Sequence, residues 1–292
     1  MLADAQIEQF RRAGYLMVPD VLTLQEVRQL NEAIDCMVVA SATIMADDDM
    51  YNLEPGHRAE CPRVRGLYDP FAIDRLFFDI SRSAAVLDIV ESLIGPNLRH
   101  DCAFVNLKPA QGGSPVQWHQ DFALLPYTND DVVVCGLALT DSTEQNGCLQ
   151  VIPGSHLGPI LDHHQDGVLI GAVQPDDHQF EPSHAVPFEV PAGGMSIHHC
   201  RLLHSSAPNR SATDRRIYFL DYAAADAYRI EERSDLSETD RRIVRGNPNR
   251  VARMMTLSFP VPGLRKEKVV FNLQAGLKNP YYGRAASLPA ND

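Results

Sequence analysis

In residues 117–122, QWHQDF, a histidine and an aspartate stand two apart behind a tryptophan. Alternation along an extended chain projects His119 and Asp121 to one side and Gln120 to the other. An imidazole and a carboxylate so placed are two-thirds of a 2-His-1-carboxylate triad, which holds Fe(II) on one face and leaves the other positions open. The same donors suit catalytic zinc, and a lone His-x-Asp arises often by chance, so a third ligand has to be found. His204, in HHCRLLHSSAPNRSATDRR, is the best placed, because it follows a Gly-Gly turn and the strand-like MSIHH and precedes an arginine-rich return. His198 and His199 are rivals just upstream; one of them is expected to pack inside the sheet and the other to face outward.

An iron so held that chelates a 2-oxo acid needs a planar, two-donor cation for the far carboxylate, which is the geometry of arginine. Arg215 lies eleven residues beyond His204, with Arg210 and Arg216 as competitors; Arg216 points the other way if the strand has begun. Ser206 has the parity of His204, so its hydroxyl can turn into the same cavity. Trp118 alternates away from His119 and reads as core packing. His156 in PGSH reads as a structural hydrogen-bonder, and His163 and His164 as part of a solvated loop.

The elements that must position these groups fall into three zones. In TLQEVRQLNEAIDCMV, Thr23 and Glu26 have capping-box spacing, and Val27, Leu30, Ile34 and Val38 share one helical face. SAAVLDIVESLIGPN predicts a second helix that stops at Gly95-Pro96, and residues 45–70 between the two predict a long loop. From 98 to 222 the chain breaks into short β-branched and aromatic runs such as HDCAFVNLK, DVVVCGLAL, CLQVIP and RIYFLDY, which favours a sandwich or barrel. Asn146-Gly147 suits a hairpin turn between two of them, and the long polar interval 154–186 predicts a lid or a disordered loop.

Composition narrows the class. The 292 residues carry 26 Lys plus Arg against 38 Asp plus Glu, a formal charge of −12, which disfavours a sequence-independent grip on nucleic acid or anionic lipid. The six cysteines form no C-x-x-C pair, as expected of reduced thiols, and neither an export signal nor an apolar run of spanning length is visible, so a cytoplasmic protein is expected.

Taken together, these stretches resemble the phytanoyl-CoA dioxygenase family of Fe(II)/2-oxoglutarate-dependent oxygenases. QFRRAGYLMVPDVL resembles the family's opening, WHQD its proximal metal motif, NGCLQVIPGSH the segment after the hairpin, and LLHSSAPNRS with Arg215 its distal histidine motif. The resemblance implies one oxygenase domain over 1–292: a helical part at 1–97, a mainly β core at 98–222 in the form of a double-stranded β-helix (jelly-roll, cupin-like), packed by the N-terminal helices, and an extension at 223–292. It implies that His119, Asp121 and His204 hold iron, that Arg215 and Ser206 bind the distal carboxylate of 2-oxoglutarate, and that Asn106, ahead of Lys108, takes the other end of the acid. The implied reaction uses O2 to hydroxylate an unactivated C–H bond of a small molecule, with release of succinate and CO2. Asp121 favours that outcome, since related halogenases carry a small residue there.

One departure stands out. Gly136 occupies a position where many relatives carry tryptophan, so either the pocket is wider or a neighbour such as Phe104 or Phe122 fills it. No basic cluster for the phosphates of a CoA thioester is visible, and the pocket walls are expected from 45–70, 154–186 and the segment after Tyr222. The competing reading is a non-catalytic or zinc-dependent metal-binding protein of cupin type, which has no need of Arg215 with Ser206.

Overall fold

The computed structural model describes residues 1–230, 236–261, 269–278 and 280–282; the end of the C-terminal extension lies outside the described residues. The N-terminal helices form where side chains satisfy their ends. Helix α1 (Asp4–Ala13) is followed by α2 (Leu24–Ala40), where the Glu26 N–H donates to Thr23 Oγ1 at 3.2 Å and Glu26 accepts from the Thr23 N–H at 2.8 Å. Val27, Leu30 and Ile34 are buried along one face, with Val38 packed at its end. Helices α3 (Pro70–Ile73), α4 (Arg75–Ser81) and α5 (Ala84–Ile94) complete this layer; Ser83 caps α5, and Gly95 closes it at a φ of 93° that favours glycine.

The strands in chain order are β1 (Tyr15–Val18), β2 (Tyr51–Leu53), β3 (Val64–Tyr68), β4 (Leu98–Lys108), β5 (Val116–His119), β6 (Val132–Ala138), β7 (Leu149–Val151), β8 (His164–Gln165), β9 (Val168–Leu169), β10 (Val186–Phe188), β11 (Met195–His199), β12 (His204–Ser206), β13 (Arg215–Ala224) and β14 (Ile243–Arg245). Among the described residues they form an eight-stranded sheet ordered β1-β11-β6-β13-β4-β3-β2, with β14 also on β4, and a four-stranded sheet ordered β10-β7-β12-β5. From β4 to β13 the chain passes repeatedly from one sheet to the other, as a jelly roll requires. Helices α6 (Asp121–Leu124), α7 (Leu236–Arg241) and α8 (Val270–Gln274) follow the sheets or interrupt them.

Strand alternation divides the large sheet into two faces. Val105, Cys135, Leu137, Ile197, Tyr218 and Leu220 pack outward against the helices, while Phe104, Asn106, Val134, Phe219 and Asp221 turn toward the small sheet and line a cavity. Tyr218 and Tyr222 fasten the layers by donating their hydroxyls to the Phe77 and Ser81 carbonyls, at 2.9 and 2.6 Å.

Three expectations change. Residues 45–70 are not a plain loop, because β2 and β3 add to the edge of β4, in runs too short to show periodicity and interrupted by Pro62 and Gly66. Asn146-Gly147 is a turn with φ of 81° at the glycine, yet it carries the chain between sheets instead of closing a hairpin, since β6 and β7 do not pair. The interval 154–186 is ordered by 3-10 turns and the β8–β9 ribbon. No helix among the described residues is long and apolar enough to cross a membrane. Leu30 is fully enclosed between α2 and the sheet, so Leu30→Ala should cost about 2–5 kcal/mol; urea titration should show a lowered midpoint at an unchanged slope.

Candidate active site

Strands β5 and β12 lie side by side with His119 directly opposite His204. Each ring is fixed by its own chain two residues back: His119 Nδ1 is 2.8 Å from the Gln117 carbonyl, and His204 Nδ1 is 2.9 Å from that of Leu202. A proton on Nδ1 leaves the Nε2 lone pairs pointing into the gap between the strands, the tautomer that metal ligation requires. β5 ends at His119, not beyond Asp121, but Gln120 stays extended (φ −121°, ψ 125°), so Asp121 at the start of α6 still emerges on the His119 side. Asp121 Oδ1 is 3.6 Å from His119 Nε2 and 3.8 Å from His204 Nε2. Those gaps exceed hydrogen-bond length and suit a shared ion, because two ligand bonds of about 2.1 Å span them. Among the described residues this is the one group of three such side chains, its ligand atoms all within 4.8 Å of one another.

Gln120 anchors the turn from behind, donating to the Pro159 and Arg201 carbonyls at 3.1 and 2.8 Å and accepting from the Leu161 N–H. Its own N–H donates to His163 Nε2 at 2.9 Å. His163 is therefore a buried support and not a solvated loop residue. The inward member of the His198/His199 pair is His198, whose Nε2 donates to Asp121 Oδ2 at 3.1 Å and leaves Oδ1 to the other two imidazoles. His199 turns toward Asp130, 3.9 Å away. His156 is structural, with Nε2 on the Arg11 carbonyl, and Trp118 packs away from the site on Phe180.

Burial lowers the pKa of both His119 and His204, only partly offset by Asp121. For Asp121 burial pushes upward, but His204, His198 and His119 together outweigh it and hold the carboxyl well below the usual range. At neutral pH the trio is thus two neutral imidazoles and a carboxylate, the protonation state a divalent cation needs.

The same cavity, about 300 Å³, is also lined by Arg215, Ser206 and Asn106. Arg215 is 1% exposed and forms no ion pair with any described residue; its Nη2 donates to Asn106 Oδ1, and its Nε has no partner. Burial pulls the guanidinium down to about 10, so it stays charged. A buried cation with no counter-ion is costly, and a bound carboxylate would supply one. Asn106 lies against Arg215, at the basic end of the cavity and not at the metal end as expected from the sequence. Lys108 is a strand tie, donating to the Ser114, Ser206 and Ala207 carbonyls. Arg216 points out to Asp35 and Asp214, and Arg210 is exposed.

Comparison with known proteins matches residues 10–217 to the phytanoyl-CoA dioxygenase (PhyH) family model. The chain belongs to that family. It is an Fe(II)- and 2-oxoglutarate-dependent dioxygenase with a jelly-roll core. A probable alpha-ketoglutarate-dependent hypophosphite dioxygenase from Stutzerimonas stutzeri is 30% identical, covering 97% of this chain and 100% of the relative. An L-proline trans-4-hydroxylase from Streptomyces griseoviridis is 28% identical over 76% of this chain and 86% of its own. Among solved structures, EctD from S. alaskensis with bound iron superposes with a TM-score of 0.63 at 22% identity, covering 77% of each chain.

This family member fills the space at Gly136 instead of widening it. A Cβ there would lie 2.6 Å from Ser196 Oγ and 2.8 Å from Phe219 Cε1. Phe219 takes the room, with Phe104 stacked on it at 5.2 Å, while Phe122 packs elsewhere against Phe259. Of the expected walls, 45–70 contributes Tyr68 and the segment after Tyr222 contributes Arg229, Val269, Val270 and Phe271; no described residue of 154–186 lines the cavity. Gln274 holds α8 in place, its Oε1 accepting from the Gln117 N–H and its Nε2 donating to the Gly171 carbonyl, each at 2.8 Å. The sequence placed a wall after Tyr222 but not the Gln274 contacts that hold it, because their partners lie more than a hundred positions away.

His198→Ala should weaken ferrous affinity about 10–100-fold by freeing the Asp121 carboxylate, as read by anaerobic competition with a chelating dye. Because His119 and His204 both have pKa values below the ordinary 6.5, ferrous affinity at this cluster should stay level from alkaline pH down to about 6.5 and decline only in more acidic buffer; a decline that begins above neutrality would contradict that protonation state.

Proposed function

We propose that the chain works as one catalytic domain in which His119, Asp121 and His204 ligate the ferrous ion and Arg215 with Ser206 holds the distal carboxylate of 2-oxoglutarate. Asn106 then serves to orient Arg215. The observation that carries this reading is a pair of cross-strand imidazoles and a carboxylate sharing one cavity with a buried guanidinium that lacks a counter-ion. A metal-storage module would gain nothing from that guanidinium.

Within this arrangement the protein binds, orients and excludes water. When bound, iron and 2-oxoglutarate supply the oxidation, turning O2 and the oxo acid into succinate, CO2 and one oxygen atom for the substrate. The carbonyl clamps on His119 and His204 hold the two Nε2 atoms toward one point, and His198 fixes Asp121 in its ionised form. Arg215 and Ser206 set the direction of the cosubstrate along the cavity. Phe104, Phe219, Leu124 and Phe271 keep the reacting region apolar. The substrate is a small molecule, hydroxylated at an unactivated C–H bond; relatives named for hypophosphite, L-proline and ectoine support its size class.

Anaerobic addition of Fe(II) and 2-oxoglutarate should produce a metal-to-ligand charge-transfer band, and oxygen should then release succinate, faster when a panel including L-proline, ectoine and hypophosphite contains a substrate. A protein that shows no band ends this reading. Arg215→Ala should weaken 2-oxoglutarate about 10–100-fold through loss of a charge-assisted pair, with iron affinity close to wild type; equal loss of both ligands would mean that the wrong arginine is named.

A further inference from the structure

Beyond the metal, the inward face of the large sheet carries a carboxyl that the proposed chemistry does not use. His198, Val134, Asp221 and Cys102 stand in register across β11, β6, β13 and β4, and all four line the cavity. Asp221 is thus two strand spacings, about 10 Å, from the histidine that supports Asp121. It also shares the inward face of β13 with Arg215, six positions and roughly 20 Å away, at the opposite end from the cosubstrate anchor.

Asp221 Oδ1 is buried and has no hydrogen-bond partner. A structural carboxylate in this protein looks different: the neighbouring Asp101 accepts from Arg99 at 2.7 Å and from the Tyr127 hydroxyl at 2.9 Å. An acceptor left unpaired in the native fold is a cost that a bound ligand can remove. The charged groups bearing on it are Asp121 and Asp101, with Arg229 opposing them. Burial, reinforced by Asp121 and only partly opposed by Arg229, pushes the free carboxyl up to about 8. Asp101 is already paired with Arg99 and lies within 4.0 Å of Arg229 and Arg242, so an anionic substrate group here would meet chiefly Asp221 and Asp121, with Arg229 opposing them. A protonated nitrogen would meet complementary charge, with Phe104, Leu124, Leu125, Val134 and Phe271 around the remaining carbon skeleton.

We propose that Asp221 is the substrate-selecting residue of this site and that the substrate carries a protonated amine, received by the Asp221 carboxylate, on a small apolar skeleton. The proposal rests on the iron and 2-oxoglutarate reading above. It places the amine at one end of the cavity and the cosubstrate carboxylate at the other, with the metal ligands between them.

The test uses the full chain with Fe(II) and 2-oxoglutarate under nitrogen, titrated in a calorimeter with cyclopentylamine, cyclopentanol and cyclopentanecarboxylate. The amine should bind wild type at least about tenfold more tightly than the other two, and Asp221→Asn should remove that preference. Preference for the carboxylate, or an amine affinity that Asp221→Asn leaves unchanged, overturns the proposal. A second readout needs no ligand: the metal-free Asp221→Asn and Asp221→Leu proteins should melt at or above wild type, because an unpaired buried acceptor has been removed. A fall of more than about 4 °C in both would make Asp221 a structural residue and also overturn it. Recording the charge-transfer band of the wild type first separates the two readings, since its absence faults the metal and cosubstrate assignment while the melting comparison still judges Asp221.

Discussion

The active site depends on one register: β5 must lie against β12 so that His119 faces His204. A slip of one residue would turn either ring to the other side of its strand. The register is held on both sides, because β12 also pairs with β7 and Trp118, alternating with His119, is buried in an apolar cluster behind the sheet. The ring orientations are then set by backbone carbonyls two residues upstream, Gln117 within β5 and Leu202 just ahead of β12, so the chain that carries each histidine also aims its Nε2 atom.

The remainder of the fold serves that pair. The helical layer covers the outer face of the large sheet and leaves the inner face free, and β13 crosses the molecule with Arg215 at one end and Asp221 near the other. The cavity is therefore polar at its two ends and at the His119–Asp121–His204 cluster, and apolar between. An elongated cosubstrate and a separate small molecule can be held head to tail in such a channel, each anchored at its outer end.

Much of this was legible in the sequence where the signal is local. Thr23 with Glu26, the α2 periodicity, and the parity of His204 with Ser206 follow from neighbours in the chain, and the structure has all of them. The family resemblance read from the sequence rests on motifs of the same kind, and the family model matches residues 10–217. What escaped is non-local. Pro62 and Gly66 hid β3, whose strand character comes from pairing with β4. The position of Asn106 beside Arg215 depends on the offset between two antiparallel strands, and the support of Asp121 by His198 on contact between the two sheets. At Gly136 the sequence left open a wider pocket or a filling neighbour, and the neighbour that fills it, Phe219, comes from the adjacent strand.

The Gln274 clamp ties distant parts of the chain together. The peptide of Gln117 gives its N–H to Gln274 in the tail helix and its carbonyl to His119 Nδ1 in the metal site. α8 thus both roofs the cavity and steadies the peptide that aims a metal-facing imidazole, from a part of the chain that the family model does not reach. Proteolytic clipping ahead of residue 270, or a bulky C-terminal fusion that dislodges this helix, would accordingly register first as leaky ion retention, even though His119, Asp121 and His204, the proposed ligands, remained intact.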